Sequence, residues 1–153
     1  MLAFTLFFSA IFAGDFGNID YVDAWNQSAK NNKPIVCYIT ADYCIPCKYF
    51  KKDILARYKE EGLLDKVNFV ILNKSKDKDS DRTIKLSGET LNEKELADKI
   101  SKGYPRIPAL VCFSKVDGKW VKRIAGYVTS DNWNKEKTYQ ANKEIFLKLI
   151  GEK

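Results

Sequence analysis

Apolar positions along this chain follow two rhythms: short runs of β-branched and aromatic residues, and longer stretches where apolar side chains recur every three or four positions. Tyr21, Ala24, Trp25, Ser28 and Ala29 stand at i, i+3, i+4, i+7 and i+8, which predicts a helix over 20–31 that ends at Lys33-Pro34. Residues 35–41, IVCYITA, have almost no polar alternation, as expected of a central strand covered on both faces. A second helical pattern over 48–59 gathers Tyr49, Phe50, Ile54, Leu55 and Tyr58 largely on one side. Residues 67–73, VNFVILN, form another strand, which the right-handed crossover rule makes a parallel neighbour of the first, giving a βαβ unit.

The charged, weakly periodic stretch 74–92 is expected to be a surface loop or insertion, and 93–102 a short helix. Residues 107–113, IPALVCF, and 120–125 flank Asp117-Gly118, a hairpin turn signal that makes this pair antiparallel. A last amphipathic helix turns Ile145, Phe146, Leu149 and Ile150 toward the core. The expected class is α/β, a central mixed sheet flanked by helices. No internal repeat or linker interrupts it.

A length of 153 residues suits one domain. Residues 1–13, MLAFTLFFSAIFA, are apolar and uncharged but shorter than the roughly 20 residues that span a bilayer, and small residues follow at Ala13 and Gly14. They predict a secretory signal peptide cut near Ala13, leaving a single domain over 14–153 in a periplasmic or secreted setting. No Lys or Arg precedes the run, so a core element or an uncleaved tether are the alternatives, and such a tether would be the only membrane link.

Lys and Arg number 26 against 20 Asp and Glu, a formal charge of +6. The cations are mostly Lys scattered among acids, without aromatics set between Arg residues, so a solvated surface is expected and no nucleic-acid partner. Histidine is absent, which excludes His-based acid/base catalysis, His-containing triads, His zinc ligands and C-x-x-C-H haem attachment.

Of the four cysteines, Cys44 and Cys47 form Cys44-Ile45-Pro46-Cys47 where the first strand hands over to a helix. Cys44 is expected at or near the N-cap, beside unpaired backbone N–H groups and the positive end of the helix dipole. Lys48, Lys51 and Lys52 add cations, so its pKa should fall below the roughly 8.5 of a free thiol. Cys47, one turn inside, should keep its proton longer. Cys44 would then attack a substrate disulfide and Cys47 resolve the mixed disulfide. A structural zinc site needs a second pair at similar spacing, and Cys37 and Cys112 instead lie in apolar β runs where cysteine behaves as a small hydrophobe. No metal or cofactor is expected; a structural 44–47 disulfide is the other alternative.

The string KPIVCYITADYCIPCKYFKKDIL, the later Arg106-Ile107-Pro108 before a strand, and Gly126 after the hairpin resemble the thioredoxin superfamily. Within it the layout is most similar to exported thioredoxin-like domains, such as the C-terminal domain of the bacterial membrane thiol:disulfide interchange reductase. The resemblance implies a thioredoxin-like fold, with Cys44 as nucleophile and Cys47 as resolving cysteine. It also implies a cis peptide bond before Pro108, and a substrate surface of Tyr43, Ile45, Pro46, Ile107 and Pro108. Partners would be protein disulfides and a thiol electron donor, and the chain is expected to be monomeric. Ile107 before the proline, and the lack of His between the cysteines, resemble reducing members and favour a protein-disulfide reductase or isomerase over an oxidant.

Three departures stand out. Tyr38 replaces a buried acid thought to move the resolving proton, a role open to a water, Asp42 or Tyr38 itself; Tyr43 replaces a usual Trp and Ile45 a usual Gly, and the charged insertion has no counterpart. If the implied fold sets Ala41 opposite Pro108, four steps along both strands bring Cys37 opposite Cys112, a second thiol pair that could be oxidised, as against two independent core thiols. Rival functions are a non-catalytic thioredoxin-like binding module and a thiolate metal carrier.

Overall fold

The computed structural model describes residues 16–75 and 83–152. The segment 1–13, with its expected signal function and cleavage, lies outside the described residues, as does part of the insertion. Among the described residues no helix is long and apolar enough to cross a membrane.

The chain folds as α1 (Tyr21–Asn31), β1 (Ile35–Thr40), α2 (Ile45–Tyr49), a π-helical stretch Phe50–Leu55, α3 (Ala56–Glu60), β2 (Asn68–Asn73), β3 (Thr83–Leu86), β4 (Glu89–Asn92), α4 (Glu93–Ile100), β5 (Ala109–Val116), β6 (Lys119–Gly126) and α5 (Lys135–Ile150). Strand order is β2-β1-β5-β6, with β1 and β2 parallel and the other neighbours antiparallel. The mixed sheet and βαβ unit are therefore as the apolar rhythm foretold.

Every residue of β1 from Ile35 to Ile39 is buried, because both sheet faces carry a core. Side chains alternate across the sheet. Val36, Tyr38, Leu110 and Cys112 join Phe50, Ile54, Leu55, Tyr58 and Phe146 on one face, whereas Ile35, Cys37, Ile39 and Val111 join Tyr21, Ala24, Leu96 and Ala97 on the other. The helical run from α2 through α3 thus covers one face together with α5, and α1 and α4 cover the opposite one.

Three local expectations change. The stretch 83–92 is a β-hairpin, turned at Ser87-Gly88, both with positive φ (50° and 85°), not a solvated loop. Ile84 is buried in the α1/α4 core, with Leu86 and Leu91 packed beside it, which gives the hairpin its hold on the domain. The helix predicted from Lys48 begins instead at Ile45, and Tyr49 points out of the core at 53% exposure. Finally, β1 pairs with β5 one residue away from the register inferred above: Val36 opposes Cys112 and Cys37 opposes Val111. A one-residue slip exchanges sheet faces. Cys37 and Cys112 are therefore on opposite sides of the sheet, each buried and free, and no second disulfide joins them.

Candidate functional site

The C-terminal end of β1 turns through residues 41–43 into α2, held by the Cys44 N–H donating to the Ala41 carbonyl at 3.1 Å. Asp42 is fixed from the end of β2: its N–H donates to Ser75 Oγ at 2.8 Å, and its Oδ1 accepts from Asn73 Nδ2 at 2.8 Å. Cys44 is the N-cap residue of α2, in extended conformation (φ −85°, ψ 102°), and its Sγ accepts the backbone N–H of Cys47 at 3.1 Å. One of the orphan donors that every helix start presents is thus aimed at this sulfur. Pro46, in the first turn, has no N–H to satisfy there.

Cys44 and Cys47 are joined in a disulfide, with Cα atoms 5.2 Å apart. Both cysteines are buried, Cys44 at 6% and Cys47 at 2% exposure, so the inner residue is the more covered of the two by a small margin in this oxidised form. Ala41 and the half-buried Ile107 complete their apolar nest. Ile107 precedes the buried Pro108 through a cis peptide bond, at the start of β5. Around the nest Tyr43 and Ile45 stand 73% and 62% exposed, with Pro46 exposed between the cysteines. The structure thus brings Cys44, Cys47 and Ile107 into one cluster and places Tyr43, Ile45 and Pro46 on its solvent rim.

Tyr38 reaches the site from below. Its ring is fully buried and stacks on Phe50, centroids 5.4 Å apart, while its hydroxyl donates to the Cys47 carbonyl at 2.9 Å. Burial pushes this phenol up to about 12, partly offset by its hydrogen bond with Thr40, so it stays protonated at neutral pH. A cleft of about 400 Å³, lined by Tyr38, Asp42, Cys47, Lys48 and Lys51 among others, opens beside the inner cysteine. Sequence reasoning placed Tyr38 here through the family resemblance. It had no signal for the cleft, which is formed by side chains of β1, α2, the π-helical stretch and β2.

Cys37 and Cys112 take no part in this centre. Burial raises both thiols, Cys112 to about 11 and Cys37 further, so each is a protonated core group. Among the described residues no cluster of metal-ligating side chains is found.

A family model described as a thioredoxin-like domain matches residues 21–141. No protein of curated function matches the sequence. Among solved structures, a DsbH oxidoreductase superposes with a TM-score of 0.53 at 17% identity, covering 86% of this chain and 84% of its own. A thioredoxin from Thermus thermophilus gives 0.49 at 12% identity, over 83% and 85% of the two chains. A thioredoxin-fold protein from Helicobacter pylori gives 0.44 at 19%, over 78% and 87%. At such identities the likeness is one of fold.

Proposed function

Given that the chain belongs to the thioredoxin-like domain family, we propose that it exchanges disulfides with other proteins through Cys44 and Cys47, as a reductase or isomerase outside the cytoplasm. The observation that carries this reading is the disulfide between an N-cap cysteine and its partner one turn inside, packed against the Ile107–Pro108 bend. In the reduced protein the Cys44 thiolate is stabilised by the Cys47 N–H and the helix start. It attacks one sulfur of a substrate disulfide, and the other sulfur leaves as a thiolate. Cys47, having given up its proton, then attacks Cys44 Sγ and expels the first substrate sulfur. Two electrons pass to the substrate, whose thiols take up the two protons, and the protein ends as the disulfide seen here.

Ile107 before the proline and the apolar Ile45-Pro46 pair between the cysteines support the reducing direction. The uncharged apolar segment 1–13 supports export. Turbidimetric insulin reduction in dithiothreitol tests the activity: it is expected with the natural chain and absent in Cys44→Ser. A reduction potential near the roughly −270 mV of thioredoxin fits a reductant, and one near about −120 mV overturns the direction.

A further inference from the structure

A second cavity, of about 350 Å³, borders the active-site helix on a different face from the Tyr38–Cys47 cleft. Its walls include Tyr49, Tyr127, Trp133 and Thr138, with Asp53 and Lys135 contributing an ion pair at 3.8 Å. Three aromatic rings line this open volume, although large apolar groups gain free energy by leaving water. Trp133 is nonetheless 74% exposed. Asn132 and Trp133 also both hold left-handed backbone, φ 61° and 52°, a region that bulky residues rarely occupy. Hydrogen bonds keep them there: the Trp133 N–H donates to the Ser130 carbonyl at 3.2 Å, and the Ser130 N–H to Thr138 Oγ1 at 3.0 Å. Backbone held against its preference so that an indole stands at a cavity edge points to a ligand.

The cavity and the disulfide lie along the same helical run, since Tyr49, Asp53 and Ile54 follow Cys44 on it. Gly126 pairs with Ala109, the residue after Pro108, so Tyr127 follows the β6 residue that pairs next to the cis bend. Tyr49 is five residues beyond Cys44, about 7.5 Å of helical rise, and Phe50 meets Tyr127 edge-on at 5.6 Å. An extended chain advances about 3.3 Å per residue, so a polypeptide bonded to Cys44 reaches the cavity with its second or third residue from the cysteine. We propose that this cavity is a subsite for an aromatic side chain of the substrate polypeptide. The volume takes one large ring, the walls offer edge-to-face partners, and the Asp53–Lys135 pair offers polar groups to a phenol or indole. The proposal rests on the disulfide-exchange reading.

Its test uses the full oxidised protein and a cysteine-free decapeptide carrying Phe at its centre, titrated while backbone amides of Tyr127 and Thr138 are followed by NMR. Shifts of these amides, with affinity reduced on the order of tenfold or more for the Ala peptide and for Trp133→Ala or Tyr49→Ala, are expected. Absence of shifts at millimolar Phe peptide, or equal binding of the Phe and Ala peptides, overturns the subsite. In parallel, the reduced protein is mixed with bis(2-hydroxyethyl) disulfide, which carries no aromatic ring and is too short to reach the cavity from Cys44. Trp133→Ala is expected to leave that rate unchanged while removing the preference for a Phe-containing peptide disulfide over its Ala counterpart. Failure of the natural chain to reduce any disulfide while the Phe peptide still binds would sink the redox reading and leave the cavity as a peptide site.

Discussion

The Tyr38 hydroxyl donates to the Cys47 carbonyl at 2.9 Å, tying the inner cysteine of the helix to the middle of the central strand. The same carbonyl also accepts the Phe50 N–H within the helix, so both its lone pairs are used. Because the phenol stays protonated, it acts as donor and anchor, with the cleft that reaches Cys47 open beside it.

Tyr38→Phe keeps the ring stack on Phe50 and removes the anchor. It is expected to lower stability by about 1 kcal/mol, a fall in Tm of about 2–4 °C, with insulin reduction kept within a few-fold. A rate loss beyond tenfold, with the fold intact, would show that the phenol itself carries the proton.

Cys47→Ser is expected to accumulate a mixed disulfide between Cys44 and substrate, visible by non-reducing electrophoresis and discharged by dithiothreitol. Cys44→Ser should form none, because Cys47 is the more covered residue and lies inside the helix.

Alkaline pH should weaken the fold in two stages. A group whose folded pKa lies above its unfolded value contributes stability that is complete below the unfolded value and is lost as pH rises through the folded one. Burial moves Cys112 from 9.0 to about 11, and Tyr38 from 10.0 to about 12. The urea midpoint of the oxidised protein should therefore hold to about pH 9 and fall between there and 12. Each group accounts for on the order of 2–3 kcal/mol at full effect. Cys112→Ala should make the fall between pH 9 and 11 shallower without moving its onset, because Cys37 starts from the same unfolded value, and Tyr38→Phe should flatten the part above pH 10.

Gly126 faces Tyr104 so closely that an added Cβ would collide with the phenol oxygen. Gly126→Ala is expected to cost about 1–3 kcal/mol and to disturb the pairing with Ala109 beside Pro108. Tyr104→Phe in the same chain should recover part of the loss, as a double-mutant cycle in chemical denaturation would show.

The remaining thiols give a chemical check that no second disulfide forms. The oxidised native protein should take up no iodoacetamide, and the same protein unfolded without reductant should take up two equivalents, at Cys37 and Cys112.

Much of this architecture could be read from residue order, because the signals were local and strong. The runs at 35–41 and 67–73 lack polar alternation, Asp117-Gly118 marks its turn with two positive φ values, and Cys44 stands where a buried strand ends and a helix begins. Register was less accessible. Only cross-strand packing sets whether Cys37 faces Val111 or Cys112, and a single step moves a side chain across the sheet. The β3–β4 hairpin was hidden by the charge density of its surroundings, although Ser87-Gly88 between TIKL and ETLN carried the turn chemistry. Tyr49 fits the apolar side of a regular helical wheel, but the π-helical stretch follows directly and Tyr49 lies outside the core. The rim at Trp133 left no periodic trace, since it depends on two consecutive residues in a conformation that neither favours.

Placing two of its four cysteines on opposite faces of one sheet also restricts which disulfides the folded chain can form. Once β1 and β5 have zipped together, the sheet is a partition between Cys37 and Cys112, and the only neighbouring sulfurs are those three residues apart on the helix. An oxidant arriving after that moment finds one correct bridge to make, whereas one arriving earlier meets an open chain and can scramble it. In the folded molecule the sheet itself thus limits which sulfurs can be joined.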